Sequence, residues 1–259
     1  MKKLNKIEVF LPSFFKPKFT ANLVRLGRNN DGGYLIDELS IDKSKKLISF
    51  GINDDFSFEM NFNTQNRASV FAFDNSIDMF FFLKKFVNSI FTPNHPKRLL
   101  VRFLNLYNYI KFFRKENRHI KKNITLKNTT TEITFSKLYN DFIKSEKEKF
   151  FLKIDIEGSE YLILDEIIKI QKNLTGVIIE FHDVNKNLIK IKKFINSLTL
   201  SICHVHCNNT GGLAKNKLPN VIEITFSNNL TKNRKIPFLP NIHDMPNSKK
   251  LPEYKINFN

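Results

Sequence analysis

The chain has 259 residues, 41% of them hydrophobic, which is enough to bury the core of one α/β domain. It contains no run of eighteen uncharged apolar residues, and Pro12 and Pro17 interrupt its basic amino terminus, so we expect a cytoplasmic protein without a membrane span. A net charge of +17 is typical of a protein that binds nucleic acid or another anionic partner, but an AT-rich genome, through its codons, would produce the same excess of lysine.

Two short apolar runs predict the first two buried strands. The run KLISFG, residues 46–51, ends in a glycine and precedes a helix that Asp55 or Ser57 can cap. The run SVFAFD, residues 69–74, ends in an acid. The order of strand, turn, helix and strand favours an α/β fold.

Residues 77–118 follow a helical pattern that is rich in aromatic side chains. Apolar residues recur at three- and four-residue spacing, and Pro93 and Pro96 divide the segment into two helices. Residues 96–128 contain one acid, Glu116, and ten basic residues: Lys97, Arg98, Arg102, Lys111, Arg114, Lys115, Arg118, Lys121, Lys122 and Lys127. This imbalance favours a polyanionic or phosphate-bearing ligand.

The second half of the chain alternates further strands with helices. We expect strands at residues 123–127, 150–155 and 175–183, helices at residues 134–144 and after Asp155 and Asn185, and two last strands in LSICHVH and NVIEITF. Cys203 and Cys207 would lie about 13 Å apart on one strand, so we expect reduced core residues rather than a disulfide. The alternation predicts a mostly parallel, doubly wound sheet in a single domain over residues 1–259, with its core at 45–227, a helical insertion at 77–118 and an irregular C-terminal wrap at 228–259.

Polar side chains collect at the predicted strand ends, where open parallel sheets bind their ligands. Asp74 follows the Gly51 turn at about the spacing of a ribose-binding acid, although a strand-end aspartate caps a helix as often. The other polar residues at these ends are Asn53, Asp54, Asp55, Asn75, Asp155, Glu157, Glu180, His182, Asp183, His206, Asn208 and Asn209. The polar strand ends therefore predict a ligand site at this edge of the sheet. The spacing of Gly51 and Asp74 suggests that the ligand is a nucleoside cofactor.

The stretch KIDIEGSEYLIL, residues 153–164, together with GVIIEFHD, residues 176–183, resembles the FkbM family of S-adenosylmethionine-dependent O-methyltransferases. LISFGINDDFSFE and VFAFD extend the similarity, which covers about residues 47–226. RLGRNNDGGYLI, HVHCNN and LPNVIEITF resemble a subgroup that is found with bacterial capsule and surface-polysaccharide genes. The first cofactor motif departs from the family pattern, because Gly51 stands alone where the family has more glycine.

The resemblance implies a class I methyltransferase fold, a Rossmann-like α/β sheet of seven strands that is mostly parallel with the last strand antiparallel. It also implies S-adenosylmethionine over the ends of the first, second and fourth strands. The cofactor-binding residues that we expect are Asp31, Tyr34, Gly51, Asn53, Asp55, Asp74, Asn75 and Asp155. The implied acceptor is a sugar or a nucleotide-linked sugar, such as a GDP-heptose, in capsular polysaccharide biosynthesis, and a homodimer is left open.

The implied strand order brings Asp155, Glu180 and His182 to one corner of the sheet. A sugar hydroxyl is barely acidic, so its methylation needs a base or a cation. We predict His182 as the catalytic base, with Asp155 or Glu157 orienting it. Alternatively, Asp155, His182 and either Glu180 or Asp183 hold Mg or Mn. The alternative is that His182 has no catalytic role and only makes hydrogen bonds at the end of its strand.

Several other polar residues have equally plain explanations. Glu160 is expected only to favour the start of the following helix. His206, Asn208 and Asn209 are predicted to bind sugar hydroxyls, although turn chemistry before Gly211 would account equally well for the asparagines.

Two other functions stay open at this point. The basic composition would suit an RNA methyltransferase, but nothing in the sequence resembles the aromatic and basic platform of an RRM or OB motif, which makes nucleic acid a less favoured partner. The glycine-poor first motif would suit a non-catalytic cofactor-binding module.

Overall fold

A computed structural model describes residues 6–91, 96–143, 145, 147–229, 237 and 239–259. The strands in chain order are β1 Ile7–Leu11, β2 Leu23–Leu26, β3 Tyr34–Asp37, β4 Lys46–Phe50, β5 Ser69–Phe73, β6 Arg118–Ile120, β7 Asn123–Thr125, β8 Glu132–Thr134, β9 Phe150–Ile154, β10 Leu174–Phe181, β11 Ser201–Cys207, β12 Ile222–Ser227 and β13 Tyr254–Phe258. The α-helices are α1 Glu38–Asp42, α2 Ser57–Asn66, α3 Met79–Ile90, α4 Pro96–Phe112, α5 Phe135–Phe142, α6 Leu164–Ile170 and α7 Val184–Ser197.

Seven strands form one central sheet in the order β11, β12, β10, β9, β4, β5, β6. All pairs in it are parallel except those made by β12, which runs antiparallel to both β10 and β11. In register, Phe50 pairs with Ile154 on one side and Phe73 on the other, so the residues that follow these three strands meet at one edge. The order confirms the predicted Rossmann-like α/β sheet with one antiparallel strand.

The central strands are apolar on both faces because each face of the sheet packs against a hydrophobic core. In β9, Phe150 and Leu152 join one hydrophobic core, and the alternate residue Phe151 joins the other. Cys203 and Cys207 are free and buried, as the sequence predicts.

The third strand of the sheet differs from the prediction. It is β6, which pairs with β5, whereas the expected strand at residues 123–127 is β7, which pairs with β8 in a separate two-stranded sheet. Three residues, Arg118, His119 and Ile120, offer no apolar run that sequence periodicity can detect. The two expected helices of the insertion are α3 and α4, and Pro93 between them lies outside the described residues.

The C-terminal segment is more regular than expected. Its last strand, β13, pairs in parallel with β1, so both ends of the chain close one small sheet. The part of the predicted wrap at residues 230–236 and 238 lies outside the described residues. Among the described helices, none is both long and apolar enough to cross a membrane.

Candidate functional site

A cavity of about 680 Å³ opens at the carboxyl edge of β4, β5, β9 and β10. This is the edge at which the sequence predicts a ligand. The predicted site residues that line it are Asp31, Gly51, Asn53, Asp55, Asp74, Asp155, Glu157, Glu180, His182 and Asn208. The structure therefore brings most of the predicted residues together, although they come from distant parts of the chain.

The turn after β4 needs a glycine. Gly51 has a φ of +73°, and a Cβ atom there would lie 1.7 Å from the carbonyl oxygen of Asp155. The backbones after β4 and β9 thus approach more closely than any side chain allows. The ammonium of Lys153, a buried cation that the sequence prediction missed, donates to the Gly51 carbonyl at 2.6 Å.

Asp74 holds this turn from the end of β5. One carboxylate oxygen accepts from the backbone N–H groups of Ile52 and Asn53, at 3.0 and 2.8 Å. The other accepts from the N–H and the hydroxyl of Ser76, at 2.7 and 2.5 Å. Burial would raise the pKa of Asp74, but these hydrogen bonds outweigh it and lower the pKa below its ordinary value. The carboxylate is therefore ionised and accepts hydrogen bonds from four donors.

The loop before β3 covers one side of the cavity. Arg28 lies 2.9 Å from Asp55 in an ion pair, and Asp31 and Gly32 line the cavity beside them. Asp55 also accepts from the N–H of Ser57 at the start of α2. The sequence prediction missed Arg28, because nothing in the sequence shows that it meets Asp55.

Tyr34 lies behind the cavity rather than on its surface. Its buried hydroxyl is 3.0 Å from carboxylate oxygens of both Asp155 and Glu180. Burial, and then the charges of Asp155 and Glu223, raise the pKa of Glu180 well above its ordinary value. Burial therefore favours the protonated form of Glu180, and the Tyr34 hydroxyl has one proton to share between the Asp155 and Glu180 carboxylates. Asn208 donates to the other oxygen of Glu180 at 2.9 Å.

His182 lies among carboxylates, as predicted, but its nearest partner is Glu160. The two are 3.5 Å apart at Nδ1, and Glu160 also accepts from the backbone N–H groups of His182 and Gly158, at 2.7 and 2.8 Å. Glu160 is fully buried. The expectation that it only favours a helix start is thus corrected: it fixes the segment that carries His182.

Glu157 was expected to orient His182, but its side chain is 91% exposed and stays 3.9 Å from Nε2. Burial would lower the pKa of His182, whereas the Glu160 carboxylate beside Nδ1 and the charges of Glu180 and Asp155 raise it to about 9. At neutral pH His182 is therefore an imidazolium.

Besides Tyr34, three predicted residues do not reach the cavity surface. His206 Nε2 is 3.0 Å from Asn247, and its Nδ1 is 3.5 Å from Asp244. Asn209 donates to the carbonyl of Ser248, and Asn75 lies outside the cavity lining. The assignment of His206 and Asn209 to an acceptor site is corrected accordingly, because both side chains anchor the C-terminal segment. The prediction failed because that segment has no sequence signal for where it packs.

This anchor gives a prediction on stability. Burial would lower the pKa of His206, but the hydrogen bond to Asp244 and the charges of Glu223 and Asp244 raise it from 6.5 to about 9. Because the pKa of His206 is higher in the folded than in the unfolded protein, protonation of His206 stabilises the folded protein. This contribution is complete below about pH 6.5 and is lost as the pH rises through about 9. Burial likewise raises the pKa of Glu223 from 4.5 to about 7, which acts in the same direction at lower pH, between about 4.5 and 7. We expect the free energy of unfolding to fall across this range.

Urea unfolding at a series of pH values measures the effect. His206→Gln should reduce the slope, leaving the parts that His182 and Glu223 contribute. The control is His243→Gln, since His243 is exposed and should leave the slope unchanged. Equal slopes for His206→Gln and the unmodified protein would show that the anchor does not titrate.

No protein-family model matches the chain, and no curated protein matches it. Among solved structures, it is similar to precorrin-6y C5,15-methyltransferase from Geobacter metallireducens GS-15, with a TM-score of 0.38 and 13% identity over 73% of this chain and 85% of that one. Fibrillarin pre-rRNA processing protein from Methanococcus jannaschii has a TM-score of 0.38 and 11% identity, over 74% and 70% of the two chains. An rRNA methylase from Streptococcus thermophilus has a TM-score of 0.38 and 12% identity, over 73% and 92%. The fold assignment rests on the strand order of the sheet, and the activity is argued from the site.

Proposed function

We propose that the protein is an S-adenosylmethionine-dependent O-methyltransferase whose acceptor is a hydroxyl of a sugar or of a nucleotide-linked sugar. The observation that carries this proposal is the cavity at the carboxyl edge, where the Gly51 turn and Asp74 adjoin the cluster of Asp155, Glu180 and His182. The role in capsule or surface-polysaccharide synthesis is supported by the resemblance to the FkbM family alone.

The cavity residues suit this cofactor in charge and in hydrogen-bonding groups. When bound, S-adenosylmethionine supplies an electrophilic methyl group on a positively charged sulfur. Ionised Asp74 and the carboxylates on this edge favour a cationic ligand. A ribose hydroxyl at Asp74 would replace the Ser76 hydroxyl, since that donor alone of the four can rotate away.

The reacting corner must take up the proton of the acceptor hydroxyl. We assign this role to His182, which has to lose its own proton before it can act as a base. Because Glu160 holds the His182 backbone, the imidazole stays next to Asp155 and Glu180 in either protonation state.

The same three residues also suit a divalent cation. One ligand atom from each of Asp155, Glu180 and His182 lies within 4.8 Å of the others, and two carboxylate oxygens with an imidazole nitrogen suit Mg or Mn. Such a cation, when bound, would supply positive charge against the acceptor oxygen. It would also compete with protons for Glu180 and His182, since a metal ligand must be deprotonated.

Titration calorimetry with S-adenosylmethionine and S-adenosylhomocysteine tests the cofactor, and we expect binding in the micromolar range. Transfer of a labelled methyl group to a panel of sugar nucleotides, with RNA as a parallel acceptor, tests the substrate. Absence of cofactor binding would overturn the proposal. Binding without transfer to any acceptor would favour a cofactor-binding module, and transfer to RNA alone would favour the RNA alternative.

A further inference from the structure

The helical insertion exposes a large apolar surface. Nine exposed apolar residues at helical spacing form one stripe on α3 and one on α4, which we call the hairpin face: Phe80, Leu83, Val87, Ile90, Leu100, Phe103, Leu104, Tyr107 and Ile110. Met79, Leu99 and Val101 on the same helices are exposed as well. Phe80 is 69% exposed, and Phe91 at the end of α3 is 79% exposed. The opposite sides of the helices already fill the core through Phe82 and Tyr109. No residue of the hairpin face belongs to either hydrophobic core, so the face is apolar surface that the core of the domain does not use.

The charge around this face has one sign. Residues 79–115 contain eight basic residues and no acid. Two of them, Lys85 and Arg102, lie 2.6 and 3.5 Å from Asp54. The other six are exposed: Lys84, Lys97, Arg98, Lys111, Arg114 and Lys115.

These two properties together select the partner. A second copy of the chain would cover the apolar residues but would bring two sets of exposed cations face to face. A nucleic acid would match the cations but would leave the aliphatic side chains in water. An anionic lipid surface satisfies both, since an amphipathic helix with basic residues lies in the interface with its apolar side among the acyl chains.

We propose that the hairpin face docks the protein onto an anionic membrane surface, with α3 and α4 lying in the interface and not crossing it. Asp54 lines the cavity and holds Lys85 and Arg102, so the docked hairpin would sit beside the candidate site. The docking itself does not depend on which reaction the cavity supports.

Flotation of the full chain with vesicles tests this proposal. We expect the protein to float with phosphatidylglycerol-containing vesicles, to float at least tenfold less with pure phosphatidylcholine, and to dissociate as salt is raised. The chain has no tryptophan, so Phe80→Trp introduces a single reporter. Its emission should shift to the blue on anionic vesicles, whereas a reporter at Ile189, 86% exposed on α7, should not shift.

Matched variants separate the apolar and the charged contributions. Phe80→Ser with Leu100→Ser should reduce vesicle binding more than tenfold, whereas Ile189→Ser with Ile242→Ser, which are exposed elsewhere, should not. Lys84→Glu with Lys97→Glu and Arg98→Glu should also reduce it more than tenfold, unlike Lys172→Glu with Lys193→Glu and Lys215→Glu. Circular dichroism confirms that each variant is folded.

Three results would overturn the inference. One is folded protein that does not float with anionic vesicles. Another is a concentration-dependent dimer in sedimentation velocity that the Phe80 and Leu100 substitutions dissociate while vesicle binding is absent, which would assign the face to a second copy. The third is RNA binding that only the charge reversals weaken, again without vesicle binding.

Discussion

Replacing Gly51 by alanine is expected to lower the free energy of unfolding by more than about 3 kcal/mol, and to remove ligand binding at the cavity. A left-handed backbone costs a residue with a Cβ atom about 1 to 2 kcal/mol. The added carbon would also lie 1.7 Å from the carbonyl oxygen of Asp155, so the ends of β4 and β9 would have to separate. Because the backbone fixes the position of a Cβ atom and the neighbouring atom is a backbone oxygen, no side-chain rotation can relieve this contact.

Gly158 provides the control for this prediction. It has a φ of +94°, but an added Cβ would meet no atom within 4 Å. Gly158→Ala should therefore cost only the backbone strain, about 1 to 2 kcal/mol. Urea unfolding of both variants at one pH measures the difference. Equal losses would show that the approach of the two strand ends contributes nothing beyond the φ angle.

The sequence was sufficient to predict the central fold. The strands β4, β5, β9 and β10 are mostly continuous apolar runs because both faces of the sheet are covered. Such runs can be recognised in the sequence. It was not sufficient for β6, which is short and polar, or for the pairing of β1 with β13, which joins opposite ends of the chain. Those elements are defined by tertiary contacts that leave no local pattern.

The site shows the same division. Acids and histidine at strand ends, together with the strand order that the family resemblance implied, predicted where Asp155, Glu180 and His182 meet. The partner of His182 was misjudged, because Glu157 and Glu160 are both glutamates near the same glycine and only the backbone path decides which is buried. The φ of +52° at Glu157 belongs to a turn that leaves its side chain in solvent, whereas Glu160 lies beneath His182.

Replacing His182 by alanine is expected to reduce turnover by about 10² to 10⁴-fold while cofactor binding is retained, as is typical when a proton-transferring group is removed. Single-turnover transfer of a labelled methyl group measures the first effect, and calorimetry the second. The control is Lys186→Ala, an exposed residue on the next helix, which should retain full turnover. A His182→Ala variant with unchanged turnover would reduce the histidine to a structural role.

The pH dependence of the rate then distinguishes how His182 works. As a base it must first be neutral, so the rate should rise with pH up to about 9 and level off above it. Glu160→Gln removes one of the charges that raise this pKa, and the midpoint should move to lower pH. Glu157→Gln, at an exposed side chain, should leave the midpoint in place. A midpoint that moves down only when Mn or Mg is added would instead indicate that a cation takes the place of the His182 proton, since a metal ligand must be deprotonated.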